Sequence, residues 1–202
     1  NPQHLKYLRE PGFGVIIGDN NDIREAVNIH AGTAISSAPT QIGNNNLLMV
    51  NTHVGHDCIV GNGIVLANNV MLAGHVVVED DVVLGGGSAV HQFSRIGRGA
   101  MMGGLSGAER DVIPYAMVIG NRGRLAGLNL VGLKRRGVEN KELLELAQAF
   151  KELFQSKGNF EEKIGQVAQK FATNSRVQEI INFIKNSAKR GIVMAGDEGA
   201  TE

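Results

Sequence analysis

Every sixth residue from Ile42 onward is apolar: Leu48, Val54, Val60, Leu66, Leu72, Val78, Leu84, Val90, Ile96 and Met102 follow it without a break. With 43% of the chain apolar, chance produces such a run in about one frame in ten thousand, so the period belongs to the fold. Glycine follows the register residue at Gly43, Gly55, Gly61, Gly85, Gly97 and Gly103, where the chain has to turn tightly. Upstream, Ile17, Ile23, Ile29 and Ile35 keep the same period. The phase then slips by one within residues 36–41, which predicts a loop bulging from a regular stack.

A six-residue spacing is the signature of a parallel β-helix, in which three short strands close one triangular coil. Each register residue then points into the prism and stacks on its counterpart eighteen residues away, with coils about 4.8 Å apart. The chain has 27 Gly, no Trp and 4% aromatic residues. Its core has to be built from Val, Ile, Leu and Ala, which suits a thin, turn-rich prism.

The register weakens after Met102 and is lost by Pro114. Residues 1–115 are therefore expected to form the β-helix domain, 116–138 a linking segment rich in Gly and Arg, and 139–202 a helical domain. Leu143, Leu144, Ala147, Phe150 and Phe154 are expected to share one face of a helix ending near Gly158. Asn159 with Glu162, and Ser175 with Gln178, have the spacing of capping boxes. They predict further helices over 160–172 and 176–189, followed by a frayed, polar stretch over 195–202.

Lys plus Arg and Asp plus Glu both number 20, so no net field favours nucleic acid or an anionic membrane. The lone Cys58 excludes an internal disulfide and suits a reducing compartment. No apolar run is long enough for a membrane-spanning helix, and no signal peptide is visible in a chain that opens at Asn1.

With eighteen residues to a coil, residues eighteen apart share a column. Asp57 and His75 stand one above the other. His56, Gly74 and Gln92 form the neighbouring column, His91 lies beside it above Ala73, and His53 is close by. Any one of these histidines alone is ordinarily a solvated surface residue. Four of them on one edge, with a carboxylate beside them, suit proton transfer, in which Asp57 fixes a tautomer. Three of them equally suit zinc. Gly74 adds an unhindered N–H for a developing oxyanion. The implied chemistry is general-base acyl transfer or metal-assisted hydration.

Several motifs now carry a resemblance. Asn51-Thr-His53-Val-Gly-His56-Asp57-Cys58, Leu66-Ala-Asn-Asn69, Leu72-Ala-Gly74-His75, Ala89-Val-His91-Gln92-Phe93 and Gly132-Leu-Lys-Arg-Arg136 occur in that order, and the chain from about Gln3 to Arg190 resembles the UDP-N-acetylglucosamine O-acyltransferase family of lipid A synthesis. The resemblance implies a left-handed parallel β-helix of hexapeptide repeats followed by a C-terminal α-helical domain. It implies transfer of an (R)-3-hydroxyacyl group from acyl carrier protein to the glucosamine 3-hydroxyl of UDP-N-acetylglucosamine. His56 is then the general base, Asp57 orients it, and the Gly74 N–H steadies the oxyanion. His53, His75, His91 and Gln92, with Lys6 of the Gln3-His4-Leu5-Lys6-Tyr7 stretch, hold the substrates. Asn129 and Arg136 match nucleotide-contacting positions, and Arg135 one that meets the phosphopantetheine arm. Gly104 falls at the acyl-length ruler, where a missing side chain leaves room for a longer chain. No cofactor of the protein's own is implied, since the phosphopantetheine arrives on the carrier protein. A cytoplasmic homotrimer of a Gram-negative-type bacterium is implied, with the histidine edge facing a second subunit and the helical tail packed beside its neighbours.

Three departures from the family pattern bear on this. His4 stands where the family often has Asp. Val131 replaces an acidic residue near the nucleotide, so a 3-amino acceptor remains open. The family also has coils before Gln3 that this chain lacks, which reads as a trimmed or fragmentary chain. A zinc hexapeptide enzyme of the carbonic anhydrase kind, with ligands from His53, His56, His75 or His91, and a non-catalytic scaffold are the rival readings.

Overall fold

The computed structural model describes residues 5–7, 12–187 and 191–196. The chain winds into a three-faced parallel β-solenoid in which each strand pairs with the third strand before and after it. Face I carries Val15–Ile17, Thr40–Ile42, Ile59–Val60, Val77–Val78 and Arg95–Ile96. Face II carries Asp22–Ile23, Leu47–Leu48, Val65–Leu66, Val83–Leu84 and Met101–Met102. Face III carries Asn28–Ile29, His53–Val54, Met71–Leu72, Ala89–Val90 and Gly107–Ala108. The pairing is offset by eighteen residues, as in His53↔Met71 and Val54↔Leu72.

The register residues fill the prism. Leu48, Val54, Leu66, Leu72, Leu84, Ile96 and Met102 are all fully buried, each contributing on the order of 1.5–3 kcal/mol of burial. Two residues per strand leave four for each corner, and one corner residue adopts the left-handed conformation. At the corner between faces III and I these are Asp57, His75 and Phe93, with φ of 63°, 62° and 65°. Asp and His tolerate this region better than most residues, while Phe93 does so against its steric preference. The corner between faces I and II is tied by a polar ladder: Asn62 Oδ1 accepts from the Asn44 N–H at 2.8 Å, and Asp80 Oδ1 accepts from the Asn62 N–H at 2.9 Å.

The expected bulge is present. Val15 pairs with Thr40, a 25-residue offset that exceeds one coil by seven residues. The inserted chain leaves the stack after Ile29 and rejoins it at Thr40. Ile35, expected in the register, lies in this loop and is 57% exposed, because the insertion has already broken the phase. Ile17 and Ile23 keep the register but are exposed, since their strands pair on one side only among the described residues.

The register also runs one strand past Met102, to a buried Ala108. The segment expected as a link is built into the prism. Ala116–Ile119 pairs in parallel with Met101–Met102 and antiparallel with Arg124–Leu128. Helix α1, Leu130–Arg135, follows. Its period is not six, so the hexapeptide pattern could not find it.

Helices α2 (Asn140–Phe154), α3 (Phe160–Lys170) and α4 (Ser175–Lys185) follow. In α2 the buried stripe is Leu143, Leu146, Ala149, Phe150 and Leu153, whereas Leu144, expected inside, is 71% exposed. Asn159 caps α3 as expected, accepting from the N–H groups of Glu161 and Glu162. Asn174, rather than Ser175, caps α4 by accepting from the Val177 N–H at 3.1 Å. Helices α3 and α4 end before the expected 172 and 189; residue 189 and residues 197–202 of the expected frayed stretch lie outside the described residues, as does His4. Helix α4 docks on its own prism. The Arg95 guanidinium lies 4.2 Å from the Phe183 ring centroid, Arg98 Nε donates to Glu179 at 3.2 Å, and the Tyr115 hydroxyl donates to the same carboxylate. No helix among the described residues is long and apolar enough to cross a membrane.

Candidate active site

The corner between faces III and I gathers the histidines. His56 follows Val54 and Gly55 at the end of a face III strand, and the sharp turn at Asp57 aims both side chains along the edge. His56 Nδ1 lies 2.7 Å from Asp57 Oδ2. One coil on, His75 Nε2 lies 3.4 Å from the same oxygen. The Asp57 side chain is fully buried, and its other partners come from the inserted loop: Thr33 donates its N–H to Oδ1 and its hydroxyl to Oδ2, both at 2.7 Å. The Thr40 hydroxyl accepts from the Asp57 N–H at 2.9 Å.

Burial alone pushes the Asp57 carboxyl up, but the Thr33 N–H, His56, the Thr33 hydroxyl and the His75 charge together outweigh it and hold the group below its ordinary value. An ionised carboxylate can only accept, so His56 Nδ1 carries the proton of this contact, which in the neutral ring leaves the lone pair on Nε2. Burial, with His56 nearby, lowers His75 despite the opposing pull of Asp57. Burial likewise lowers His53, helped by His30 and His56.

The His56 ring packs against Gly74 of the next coil. A Cβ on Gly74 would stand 2.6 Å from His56 Cε1 and 2.7 Å from Nε2, so only glycine admits the imidazole here. Among the described residues the Gly74 N–H donates to no protein acceptor, while its carbonyl accepts from the Phe93 N–H at 3.2 Å. The Tyr7 ring meets His56 edge-on at 5.2 Å, and the Lys6 ammonium lies 5.6 Å from the Tyr7 centroid. His75 stacks on Phe93 at 4.5 Å, and Ser36 Oγ is 3.3 Å from His75 Nδ1. His91 and Gln92 continue the corner one coil further, the His91 Nδ1 being 3.1 Å from the Gln92 carbonyl.

Beside this corner, face III forms an open groove of about 670 Å³ lined by His53, Met71, Ala73, Ala89 and Val90, with Asn51, Asn69 and Gly87 at its far side. Gly104 sits at that far corner, where a Cβ would be 3.3 Å from the Gly86 carbonyl. His56, Asp57, His75, His53, Lys6, Gly74, His91 and Gln92 are thus brought to one edge and its adjoining face.

Asn129, Arg135 and Arg136 are not. Asn129 caps α1: its Oδ1 accepts from the Gly132 N–H at 2.9 Å and its Nδ2 donates to the Gly99 carbonyl at 3.1 Å. Arg136 donates from Nη2 to the Asp81 carbonyl at 2.7 Å, and Arg135 is exposed beside it. Gly99 and Asp81 belong to the corner between faces I and II, across a whole face from His56. Val131 is exposed on the same helix.

For a metal, His56, Asp57 and His75 are the set among the described residues whose donor atoms all lie within 4.8 Å of one another. His53 and His91, offered as zinc ligands on sequence grounds, fall outside it. Sequence reasoning missed Thr33, Tyr7, Ser36 and Phe93. The phase slip marked the loop that carries Thr33 and Ser36, without indicating which corner it would cover.

Known proteins share the sequence and fold of this chain. Residues 111–193 match the family described as Udp N-acetylglucosamine O-acyltransferase, domain 2, and residues 39–74 match the bacterial transferase hexapeptide repeat. An acyl-[acyl-carrier-protein]–UDP-N-acetylglucosamine O-acyltransferase of Rhizobium rhizogenes is 48% identical over 176 residues, 87% of this chain and 65% of that protein. One from Anaeromyxobacter sp. (strain K) is 44% identical over 191 residues, 95% of this chain and 74% of the relative. The crystal structure of UDP-N-acetylglucosamine O-acyltransferase from Moraxella catarrhalis superposes with a TM-score of 0.90 at 43% identity, covering 96% of this chain and 74% of that one. The Arabidopsis UDP-N-acetylglucosamine acyltransferase superposes with a TM-score of 0.90 at 40% identity, covering 95% and 69%.

Proposed function

The chain belongs to the UDP-N-acetylglucosamine O-acyltransferase family, and on that premise we propose that it transfers an (R)-3-hydroxyacyl chain from acyl carrier protein to the 3-hydroxyl of UDP-N-acetylglucosamine, in lipid A biosynthesis. The observation that carries the proposal is the His56–Asp57 pair at 2.7 Å, which leaves His56 Nε2 as a basic lone pair directly over Gly74. His56 Nε2 takes the proton of the sugar hydroxyl as its oxygen attacks the thioester carbonyl carbon. The Gly74 N–H donates to the carbonyl oxygen as it becomes an oxyanion. Collapse of the tetrahedral intermediate breaks the C–S bond, and His56 returns the proton to the departing sulfur. Asp57 stabilises the imidazolium in between and stays ionised.

The groove on face III supplies an apolar surface, Met71, Ala73 and Ala89, for the acyl chain, and Gly104 stands where a longer chain would extend. His53, His75, His91, Gln92 and Lys6 line the polar approaches. Asn129, Arg135 and Arg136 lie at a different corner from His56, so the nucleotide contacts implied for Asn129 and Arg136, and the phosphopantetheine contact implied for Arg135, require a second copy to bring that corner alongside. This supports a homotrimer with shared sites. In that reading Asn129, whose side-chain oxygen and nitrogen both bond the protein, positions α1, while Arg136 contacts the nucleotide and Arg135 the phosphopantetheine arm.

The test is acyl transfer from 3-hydroxyacyl carrier protein to UDP-N-acetylglucosamine by the parent and by His56→Ala, with a chelator present and a 3-amino sugar nucleotide run in parallel. Parent turnover that His56→Ala reduces by about 10²–10⁴ supports a general base. Turnover that the chelator abolishes points instead to a metal on His56, Asp57 and His75. Preference for the amino acceptor would correct the acceptor alone.

A further inference from the structure

Three arginines gather at the far end of the histidine edge. Val54, Leu72, Val90 and Ala108 stand in register. Arg110 follows Ala108 as His56 follows Val54, Gly74 follows Leu72 and Gln92 follows Val90, so Arg110 continues the column of the general base. Three coil spacings separate it from His56, about 14 Å along the prism axis. The hairpin of Ala116–Ile119 and Arg124–Leu128 then folds its turn onto Gly107. A Cβ on Gly107 would lie 2.5 Å from the Asn121 carbonyl oxygen, and one on Gly123 would lie 2.3 Å from that of Gly107. That close approach, open to glycine alone, brings Arg122 and Arg124 beside Arg110. The three line one shallow depression of about 300 Å³ with Glu109 and the segment 193–196.

All three arginines are exposed, and among the described residues none forms an ion pair. In a chain of zero formal net charge, three guanidinium groups against the single Glu109 carboxylate, counted among the described residues, make a local positive field. Arginine is also the cation suited to carboxylates, through its planar fork.

We infer that the Arg110–Arg122–Arg124 patch is the docking surface for the acidic face of the acyl carrier protein, whose thioester arm then runs down the Gln92–Gly74 column to His56. The inference rests on the acyl-transfer reading above and deepens it. A compact diphosphate needs a site at the chemistry, whereas this patch stands off from His56 by a distance that suits a donor with a long flexible arm. Lys134, Arg135 and Arg136, the basic run singled out in the sequence, lie at another corner, from which Arg135 of a second copy would meet the arm rather than the carrier protein's acidic face.

The experiment compares the parent with the triple variant Arg110→Glu, Arg122→Glu, Arg124→Glu and with the triple lysine variant, all checked by circular dichroism. Each is assayed with acyl carrier protein and with an acyl-pantetheine thioester that lacks the protein. Docking predicts that the glutamate variant raises KM for the carrier protein about tenfold or more while kcat holds, that kcat/KM for the small thioester changes less than about twofold, and that lysine restores most of the loss. An unchanged KM for the carrier protein overturns the inference, as does an equal loss with the small thioester. Direct binding of carrier protein, read by fluorescence anisotropy, separates the two proposals. A parent that binds it without turning over defeats the transfer reading, and the loss of binding in the glutamate variant then decides the docking surface alone. A parent that does not bind it at all overturns the docking surface.

Discussion

Thr33 clamps Asp57 with two hydrogen bonds, from its backbone N–H and its hydroxyl, each 2.7 Å long. It reaches across from an insertion that interrupts the repeat, so a residue outside the hexapeptide pattern holds the carboxylate that pairs with His56. Thr33→Val keeps the N–H and removes the hydroxyl, a charge-assisted bond worth about 1.5–3 kcal/mol. The expected result is a fall of about tenfold in kcat/KM. The Asp57 carboxyl loses one of the contacts that hold it below its ordinary value, and Thr33→Ser, which keeps the hydroxyl, restores the rate. An unchanged kcat/KM in Thr33→Val would show that the hydroxyl does not support the His56–Asp57 pair.

Gly74→Ala places a methyl carbon 2.6 Å from the His56 ring. The ring cannot stay. We expect activity to drop by about 10² or more, with a stability loss of about 1–3 kcal/mol from overpacking. Ser88→Ala, deep in the prism and away from the edge, serves as the comparison: its hydroxyl has no partner among the described residues, and its removal should leave turnover intact. Full activity in Gly74→Ala, measured beside an unchanged melting temperature, argues against the close packing of His56 on this coil.

His53 and His75 are both held below the ordinary histidine value of 6.5 in the folded state. The unfolded chain therefore takes up protons first as pH falls below 6.5, and folding stability declines through that window until the folded-state values are passed. Above 6.5 the contribution is fully present. A plot of Tm against pH should slope downward on the acid side, and His53→Gln should flatten it. An identical slope in parent and variant would show that His53 titrates alike in both states.

Glu179 of α4 accepts from both Arg98 and the Tyr115 hydroxyl, and its negative charge adds to burial in raising the Tyr115 phenol. Glu179→Ala leaves Tyr115, buried in the prism, without its acceptor. We expect a loss of about 1–3 kcal/mol, read as a lower denaturant midpoint, together with faster amide exchange in α4 than in the prism. Exchange that rises equally everywhere would mean the clasp does not hold α4 separately.

The prism was legible in the sequence to the level of individual columns. In a solenoid each coil touches only the next, so a fixed offset of eighteen residues turns linear spacing into spatial contact. Asp57 under His75, and His56 beside Gly74, follow from counting. The same rule failed wherever the offset changed. Ile35 sits in the seven-residue insertion, and Leu144 was given to the wrong stripe of α2 because its apolar neighbours admit more than one helical face. The segment 116–138 abandons the period, and its hairpin and helix are tied to the prism by backbone pairing that hydrophobic pattern does not report.

What the sequence determined by itself is therefore the repeat, the aliphatic core and the histidine edge, because stacking at a constant spacing is a one-dimensional rule. The tertiary structure alone decided that Thr33 closes on Asp57, that Gly74 lies under the His56 ring, and that Arg135 and Arg136 stand one full face away from it. Those relationships depend on where an insertion folds back, how a side chain rotates at a strained corner, and which corner a helix docks against. Each is set by packing between elements far apart in the chain, which no local period encodes.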